Sequence, residues 1–355
     1  MPLPSSGAIN FAAINTELGA ATNTTRALGS AAVRGLYGVA SGAIRLAADG
    51  YGKSNFWKGS LTKGFTMGGR VSPPSVSNSS TAEKYTYSTQ TGAVTPAASL
   101  SVAIGLSSGM GNTEKGFTGG GEVPGTPVVA TSHKTTFSSE TTAAAPGLNV
   151  SPARRGILSA GNSTKGFFTG GGTTPATPVS ERVTYSTETK AAVPTANMIF
   201  ARYEGVGVGN DTKGFYTGGR NPGTLSTATT ERNTFATETN ASVPGANLSA
   251  SRYGLAGFGN PASAYFAAGL TAPATYRSTV DKTSFSTETT AATPLSVTAK
   301  LHVSYLGDGT RGFVLKGTTP GPTFTTSVQN ILYSNDTVSS SPAAAGPGRD
   351  RAYSF

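Results

Sequence analysis

The side chains able to do chemistry are few. The 355-residue chain has two histidines, His133 and His302, and no cysteine. Disulfides, thiolate metal sites, iron–sulfur clusters and thiol nucleophiles are therefore excluded together. A Ser-His-Asp arrangement would depend on one of the two imidazoles, and a histidine-rich metal site within one chain is not available. The acids recur as Glu140, Glu188, Glu238 and Glu288, with Gln90 and Asp336 in corresponding places. A glycosidase needs two convergent carboxylates in different environments, whereas these are copies of one position. His133 aligns with Glu83, Glu181, Glu231 and Asp281 and reads as a drifted copy of that column; Gly307-Asp-Gly-Thr310 reads as a turn. We expect no catalytic residue, no cofactor and no metal.

The basic residues are more numerous: 27 Lys and Arg against 17 Asp and Glu, a formal charge of +10. One set is Lys63, Lys115, Lys165, Lys213 and Arg311, with Ser263 in the remaining copy, either an anion-binding collar or solvated turn charges. A second set is Arg154, Arg155, Arg202, Arg252, Lys300, Arg349 and Arg351, and Arg70, Arg220 and Arg277 lie in variable segments. Arg70, Arg154, Arg155, Arg202, Arg220, Arg252, Arg277 and Lys300 form the candidate ligand-binding basic face, suited to anionic surface glycans. The alternative is that Arg202 and its equivalents pack structurally against neighbouring turns. The cations are dispersed, with no basic run and no recognition-helix motif, so nucleic acid is not an expected partner.

These residues are positioned by a repeat. The Gly of Lys-Gly-Phe falls at Gly64, Gly116, Gly166, Gly214 and Gly312, with Ala264 in the gap, giving spacings of 52, 50, 48, 50 and 48. The aromatic after it occurs six times: Phe65, Phe117, Phe167, Phe215, Tyr265 and Phe313. A second aromatic column, Tyr87, Phe137, Tyr185, Phe235, Phe285 and Tyr333, lies nine residues before Pro96, Pro146, Pro194, Pro244, Pro294 and Pro342. The distance from the Gly column to the second aromatic varies between 19 and 23, so the Gly/Pro/Thr segment between them is a loop. Each unit reads as four short strands. In one copy, strand a follows Arg202, strand b is Lys213–Gly219, strand c is Glu231–Phe235, and strand d is Ala241–Pro244, where proline halts it.

A basic residue, an inner strand, an aromatic before Gly-Gly, a variable loop, an acidic residue before an aromatic and a proline link together resemble the kelch motif. The resemblance spans residues 58–355 but lacks kelch's strand-d tryptophan, since the only Trp is Trp57. It implies an all-β fold: a six-bladed kelch-like β-propeller of four-stranded blades, the C-terminal strand completing the first blade and removing an open edge. His302, near strand a, could line the central channel, although a lone His is more often structural.

Residues 1–57 lie outside the period and form a small mixed segment. Ser6-Gly-Ala-Ile9 and Ser41-Gly-Ala-Ile44 are related, and Phe11, Ile14 and Leu18 have helical spacing with Gly19 as a stop. Together with Gly50-Tyr-Gly-Lys-Ser54, these stretches resemble the N-terminal segment of virion structural proteins of tailed bacteriophages. The resemblance implies docking to other virion proteins through Ile9, Phe11, Ile14, Leu18, Ile44 and Leu46. The start lacks a secretory leader's charged and apolar regions, and no apolar run reaches 18 residues, so neither ordinary export nor membrane insertion is expected. The expected function is a noncatalytic virion protein, assembled in the host cytoplasm. Its propeller would be displayed as a homo-oligomer on the particle for binding host surface polysaccharide, as a tail fibre or adhesin. Capsid, neck or baseplate decoration, and a polysaccharide-active enzyme on a propeller scaffold, are the alternatives.

Overall fold

Short strands separated by glycine- and threonine-rich turns give an all-β chain in the computed structural model. It describes residues 62–71, 77–172, 175–221, 225–321, 323–342 and 346–355. Residues 1–57, with Ile9, Phe11, Ile14, Leu18, Ile44 and Leu46, lie outside the described residues. Among the described residues no helix is long and apolar enough to cross a membrane.

Six antiparallel four-stranded sheets follow one another in sequence. Sheet 2 is Ser108–Gly111, Lys115–Val123, Thr126–Thr136 and Thr141–Ala144; sheet 3 is Leu158–Gly161, Lys165–Thr169, Ser180–Thr184 and Thr189–Ala192. Sheet 4 is Val206–Gly209, Lys213–Thr217, Thr230–Thr234 and Thr239–Ser242, and sheet 5 is Ala256–Gly259, Ser263–Ala267, Thr279–Ser284 and Thr290–Ser296. Sheet 6 is Ser304–Gly307, Arg311–Leu315, Val328–Leu332 and Thr337–Ser341. Sheet 1 takes Lys63–Met67, Ala82–Thr86 and Thr91–Val94 from one end of the repeats. Its fourth strand is Tyr353–Ser354, with Thr66 opposite Ser354 and Met67 opposite Tyr353. We call the strands of each sheet a to d in chain order, with Tyr353–Ser354 as strand a of sheet 1.

Proline ends strand d by starting a 3-10 turn at Pro96–Ala98, Pro146–Leu148, Pro194–Ala196 and Pro244–Ala246, where its missing N–H costs nothing. Sheet 5 departs from the expected halt: Pro294 lies inside strand Thr290–Ser296, beside a register shift between Thr279 and Asp281. An irregular edge tolerates proline because no ladder donor is needed there.

The two aromatic columns meet between sheets. The strand-b ring of one sheet stacks on the strand-c aromatic of the next: Phe65 on Phe137 at 5.6 Å, Phe117 on Tyr185 at 5.6 Å, Phe167 on Phe235 at 5.6 Å. Phe215 on Phe285 at 5.1 Å and Tyr265 on Tyr333 at 5.2 Å continue the series, and Phe313 of sheet 6 stacks on Tyr87 of sheet 1 at 5.7 Å. All twelve rings are buried. Each contributes about 1.5–3 kcal/mol by burial, and each stacked pair about 0.5–1.5 kcal/mol more. Glycine before the strand-b aromatic leaves room for a further ring beside the stacks: a Cβ on Gly116 would overlap the Phe355 ring, and one on Gly312 the Phe258 ring.

Candidate functional site

The basic residues take three distinct environments, and the first removes half of the expected ligand face. Arg154, Arg202, Arg252 and Lys300 are fully buried, as is Arg349. The link after the proline carries each side chain inward, beneath its own sheet, where buried backbone carbonyls need donors. Arg154 donates to Phe168 O and to Glu181 at 2.8 Å, and Arg202 to Tyr216 O with Glu231 at 3.2 Å. Arg252 donates to Thr279 O and to Asp281 at 2.5 Å. Arg349 reaches Glu83 at 2.6 Å, which also accepts from Lys316 at 2.7 Å. Burial pushes the arginines down, Arg202 to about 10. Arg154, Arg202, Arg252 and Lys300 are therefore corrected from surface ligands to internal positions.

Two repeats lack the charged pair. In sheet 2 the arginine column holds Ile104 and the acid column His133, both buried; His133 Nε2 lies 3.0 Å from Ser101 Oγ, and burial lowers its pKa. In sheet 6 the columns hold Lys300 and Gln329. Lys300 Nζ donates to Ser327 O at 3.0 Å, and burial lowers its pKa to about 8.

The second environment lies between sheets. Glu140, Glu188, Glu238 and Glu288 sit at left-handed positions (φ 52–55°) in the turn from strand c to strand d. Each clamps two cations of the preceding sheet. Glu140 takes Lys63 at 2.6 Å and Lys84 at 2.9 Å; Glu188 takes Lys115 at 2.8 Å and Lys134 at 2.9 Å. Glu238 takes Lys165 and Arg182, and Glu288 takes Lys213 and Arg232, at 2.6–2.8 Å. Asp336 takes Lys282 at 2.7 Å and the Tyr265 hydroxyl at 2.6 Å. Between sheets 6 and 1 the device is neutral: Gln90 Oε1 accepts from Asn330 Nδ2 at 3.1 Å and Ser341 Oγ at 2.8 Å. The lysines expected as a collar are thus inter-sheet clamps.

The third environment surrounds one small cavity. Leu106, Gly156, Glu204, Gly254, His302 and Arg351, one from the link before each strand a, all have φ between 51° and 61°. Their backbones are joined in series. Leu106 N donates to Arg351 O, Gly156 N to Leu106 O, Glu204 N to Gly156 O and Gly254 N to Glu204 O, at 2.7–3.0 Å. The remaining links, Val303 N to Gly254 O and Arg351 N to His302 O, are longer at 3.3 Å. These six line a cavity of ≈ 70 Å³ with Ser108, Tyr305, Tyr353 and Ser354.

Around it, Arg70 holds Asp350 with two bonds at 3.0 and 2.8 Å, and Arg155 and Arg351 share Glu122. Arg220 lies 3.6 Å from Glu204 and 4.6 Å from the centre of the Tyr253 ring. Arg277 stands apart, donating to Thr271 Oγ1 at 2.8 Å. His302 lies between two carboxylates, 3.5 Å from Glu204 and 3.8 Å from Asp350. Burial alone would lower its pKa, but Asp350 and Glu204 outweigh burial and raise it above the ordinary imidazole value. Burial would raise the Glu204 carboxyl, yet His302, Arg220 and Arg351 hold it down at about 2. Such a cluster can bind and orient a charged guest. Among the described residues no three His, Asp or Glu side chains gather as a metal-binding set.

His302 is the one cavity residue whose place the sequence suggested. Glu204, Glu122, Asp350 and Tyr253 were missed as site residues, and Arg351 was grouped with the general basic set. The signal lay in the two columns after the buried cation: Gly105-Leu106, Arg155-Gly156, Tyr203-Glu204, Tyr253-Gly254, Leu301-His302 and Asp350-Arg351. These two columns vary among Gly, Leu, Tyr and both charges, more widely than the aromatic columns do.

No protein-family model matches the chain, and no curated protein is detectably similar to it.

Proposed function

We propose that the six sheets are the blades of a closed, kelch-like propeller, and that it serves as a noncatalytic structural unit of a tailed-phage virion, attached through residues 1–57. The observation that carries the ring is the contact of sheet 6 with sheet 1: Phe313 on Tyr87, and Gln90 bonded to Asn330 and Ser341. The series of backbone bonds through Leu106, Gly156, Glu204, Gly254, residues 302–303 and Arg351 supports it by returning to its start. Placement on a virion rests on the resemblance of residues 1–57 to phage docking segments.

Within that reading, a structural display role is favoured over a basic adhesive face. Arg154, Arg202, Arg252 and Lys300 are buried, and Arg70, Arg155 and Arg220 face Asp350, Glu122 and Glu204. Most of the candidate basic face is thus engaged within the fold. An acidic-glycan adhesin or an enzyme would need charged groups free to meet substrate, and among the described residues that reading keeps support at the cavity of Glu204 and His302. The test is peptide mass spectrometry and gold labelling of purified particles. The protein should copurify with intact virions in fixed stoichiometry; its absence from washed particles refutes the proposal.

A further inference from the structure

The cavity bounded by Glu204, His302 and Arg351 is unlike the rest of the interior. Its volume of ≈ 70 Å³ exceeds the ~10–15 Å³ that one water needs, so it has room for several waters or a small polar group. Glu204 and His302 are each 8% exposed, and Glu204 Oε2 and both His302 ring nitrogens have no hydrogen-bond partner. Their mutual and neighbouring approaches of 3.5 and 3.8 Å are longer than hydrogen bonds. Arg351 Nε and Ser354 Oγ, on residues that also line the cavity, are likewise unpartnered.

The charges around the cavity do not cancel. Arg70, Arg155, Arg220 and Arg351 face Glu122, Glu204 and Asp350, four cations against three anions before His302 is counted. Unused donors on His302, Arg351 and Ser354 outnumber the unused acceptor on Glu204. A flat guest with two acceptor oxygens and a negative charge would take up those donors and offset part of an excess that rises to two cations when His302 is protonated. A hydroxyl beside the guest's charge would find Glu204 Oε2 as its acceptor. Behind His302 stands Tyr253, edge-on to it at 6.1 Å, with Arg220 over the Tyr253 ring. A neutral polar guest would leave the extra cation uncompensated in a buried setting.

We propose that this cavity is a binding site for a carboxylate group, seated against His302 and Arg351. The carboxylate belongs either to an acidic sugar or to a small free organic acid. The site adds a binding activity to the display role, but it rests on the cavity residues themselves and not on placement in a virion. Because His302 is the guest's principal donor, occupancy falls as pH rises past its raised pKa. Glu204, Asp350, Arg351, Arg220 and Tyr253 are the groups that face or adjoin the ring, and the imidazole they surround is the side-chain type whose charge changes near neutrality.

The test is isothermal titration of the purified full-length chain with sodium acetate and sodium glucuronate, with phosphate and chloride as competitors. One saturable site per chain is expected, weakened about tenfold or more by His302→Gln or Arg351→Gln. The same loss is expected in the unaltered protein between about pH 6 and about pH 9, an arm that needs no variant to fold. Glucuronate binding about tenfold more tightly than acetate supports the acidic-sugar source, and equal affinities support the small free acid. No saturable binding, retention of affinity in both variants, or equal displacement by phosphate and chloride (an adventitious ion only) overturns the proposal. Failure here leaves the virion reading standing, and absence from virions leaves this site standing.

Discussion

Replacing Arg252 by isoleucine should destabilise the protein far more than its loss of contacts suggests, and a second substitution should reverse much of the damage. The guanidinium and its partner Asp281 are both fully buried, 2.5 Å apart. With the arginine gone, Asp281 keeps one bond from Ser249 N at 2.9 Å and no counter-charge from Arg252, and Thr279 O loses a donor. Breaking a buried pair from one side typically costs ~3–5 kcal/mol, because the remaining charge is uncompensated. For a domain this large that lowers the melting temperature by about 6–10 °C, at roughly 2 °C per kcal/mol. The chain carries its own precedent for repair: sheet 2 holds Ile104 and His133, both buried, at the corresponding positions. Arg252→Ile combined with Asp281→His should therefore recover at least half the loss, about 2 kcal/mol relative to the single substitution, and the coupling energy exceeds that by the cost of Asp281→His alone. Urea unfolding followed by far-ultraviolet circular dichroism, with the slope checked for constancy, measures all four members of the cycle. A single substitution within about 1 kcal/mol of the parent, or a double no better than the single, would refute the reasoning.

Further outcomes follow from the same contacts. Glu140, Glu188, Glu238 and Glu288 have pKa values lowered by their clamped cations, so their contribution is present above the ordinary value of 4.5 and lost as pH falls through the lowered ones. Glu238→Gln should cost about 0.5–1 kcal/mol at neutral pH and flatten acid unfolding below about pH 4.5, read by circular dichroism against pH. Lys300 has the opposite sign. Its folded pKa of about 8 lies below the ordinary 10.5, so stability rises as pH climbs between these values, and Lys300→Met should stabilise by about 1–2 kcal/mol at neutral pH in thermal melts. Phe355 is fully buried between Phe65 and Phe137, and Phe355→Ala should cost about 3–5 kcal/mol in urea unfolding.

The strands, their number in each sheet and the two aromatic columns were legible in the sequence because fixed spacings reflect rigid local units. That Phe117 meets Tyr185, and not the aromatic of its own repeat, was not legible: the stack joins neighbouring sheets, and spacing carries no information about which copy is the partner. The arginines were harder. A basic residue after a proline link reads as surface charge, since burial depends on the backbone carbonyls of Phe168, Tyr216 and Phe266 that it satisfies. The paired change of Arg to Ile104 and acid to His133 was the sequence trace of that burial. Glu204 and Arg351 escaped notice because their convergence arises from a left-handed backbone position shared with Gly156 and Gly254, a property of conformation and not of side-chain type.

A cryo-electron reconstruction of intact virions tests the central claim most directly, since it reads closure and placement together. The account predicts a six-bladed ring at the virion surface, with the Arg349–Phe355 strand seated in the first blade and the chain's N-terminal segment in contact with the particle. An open arc of sheets, or particles with no density for this chain, would contradict it.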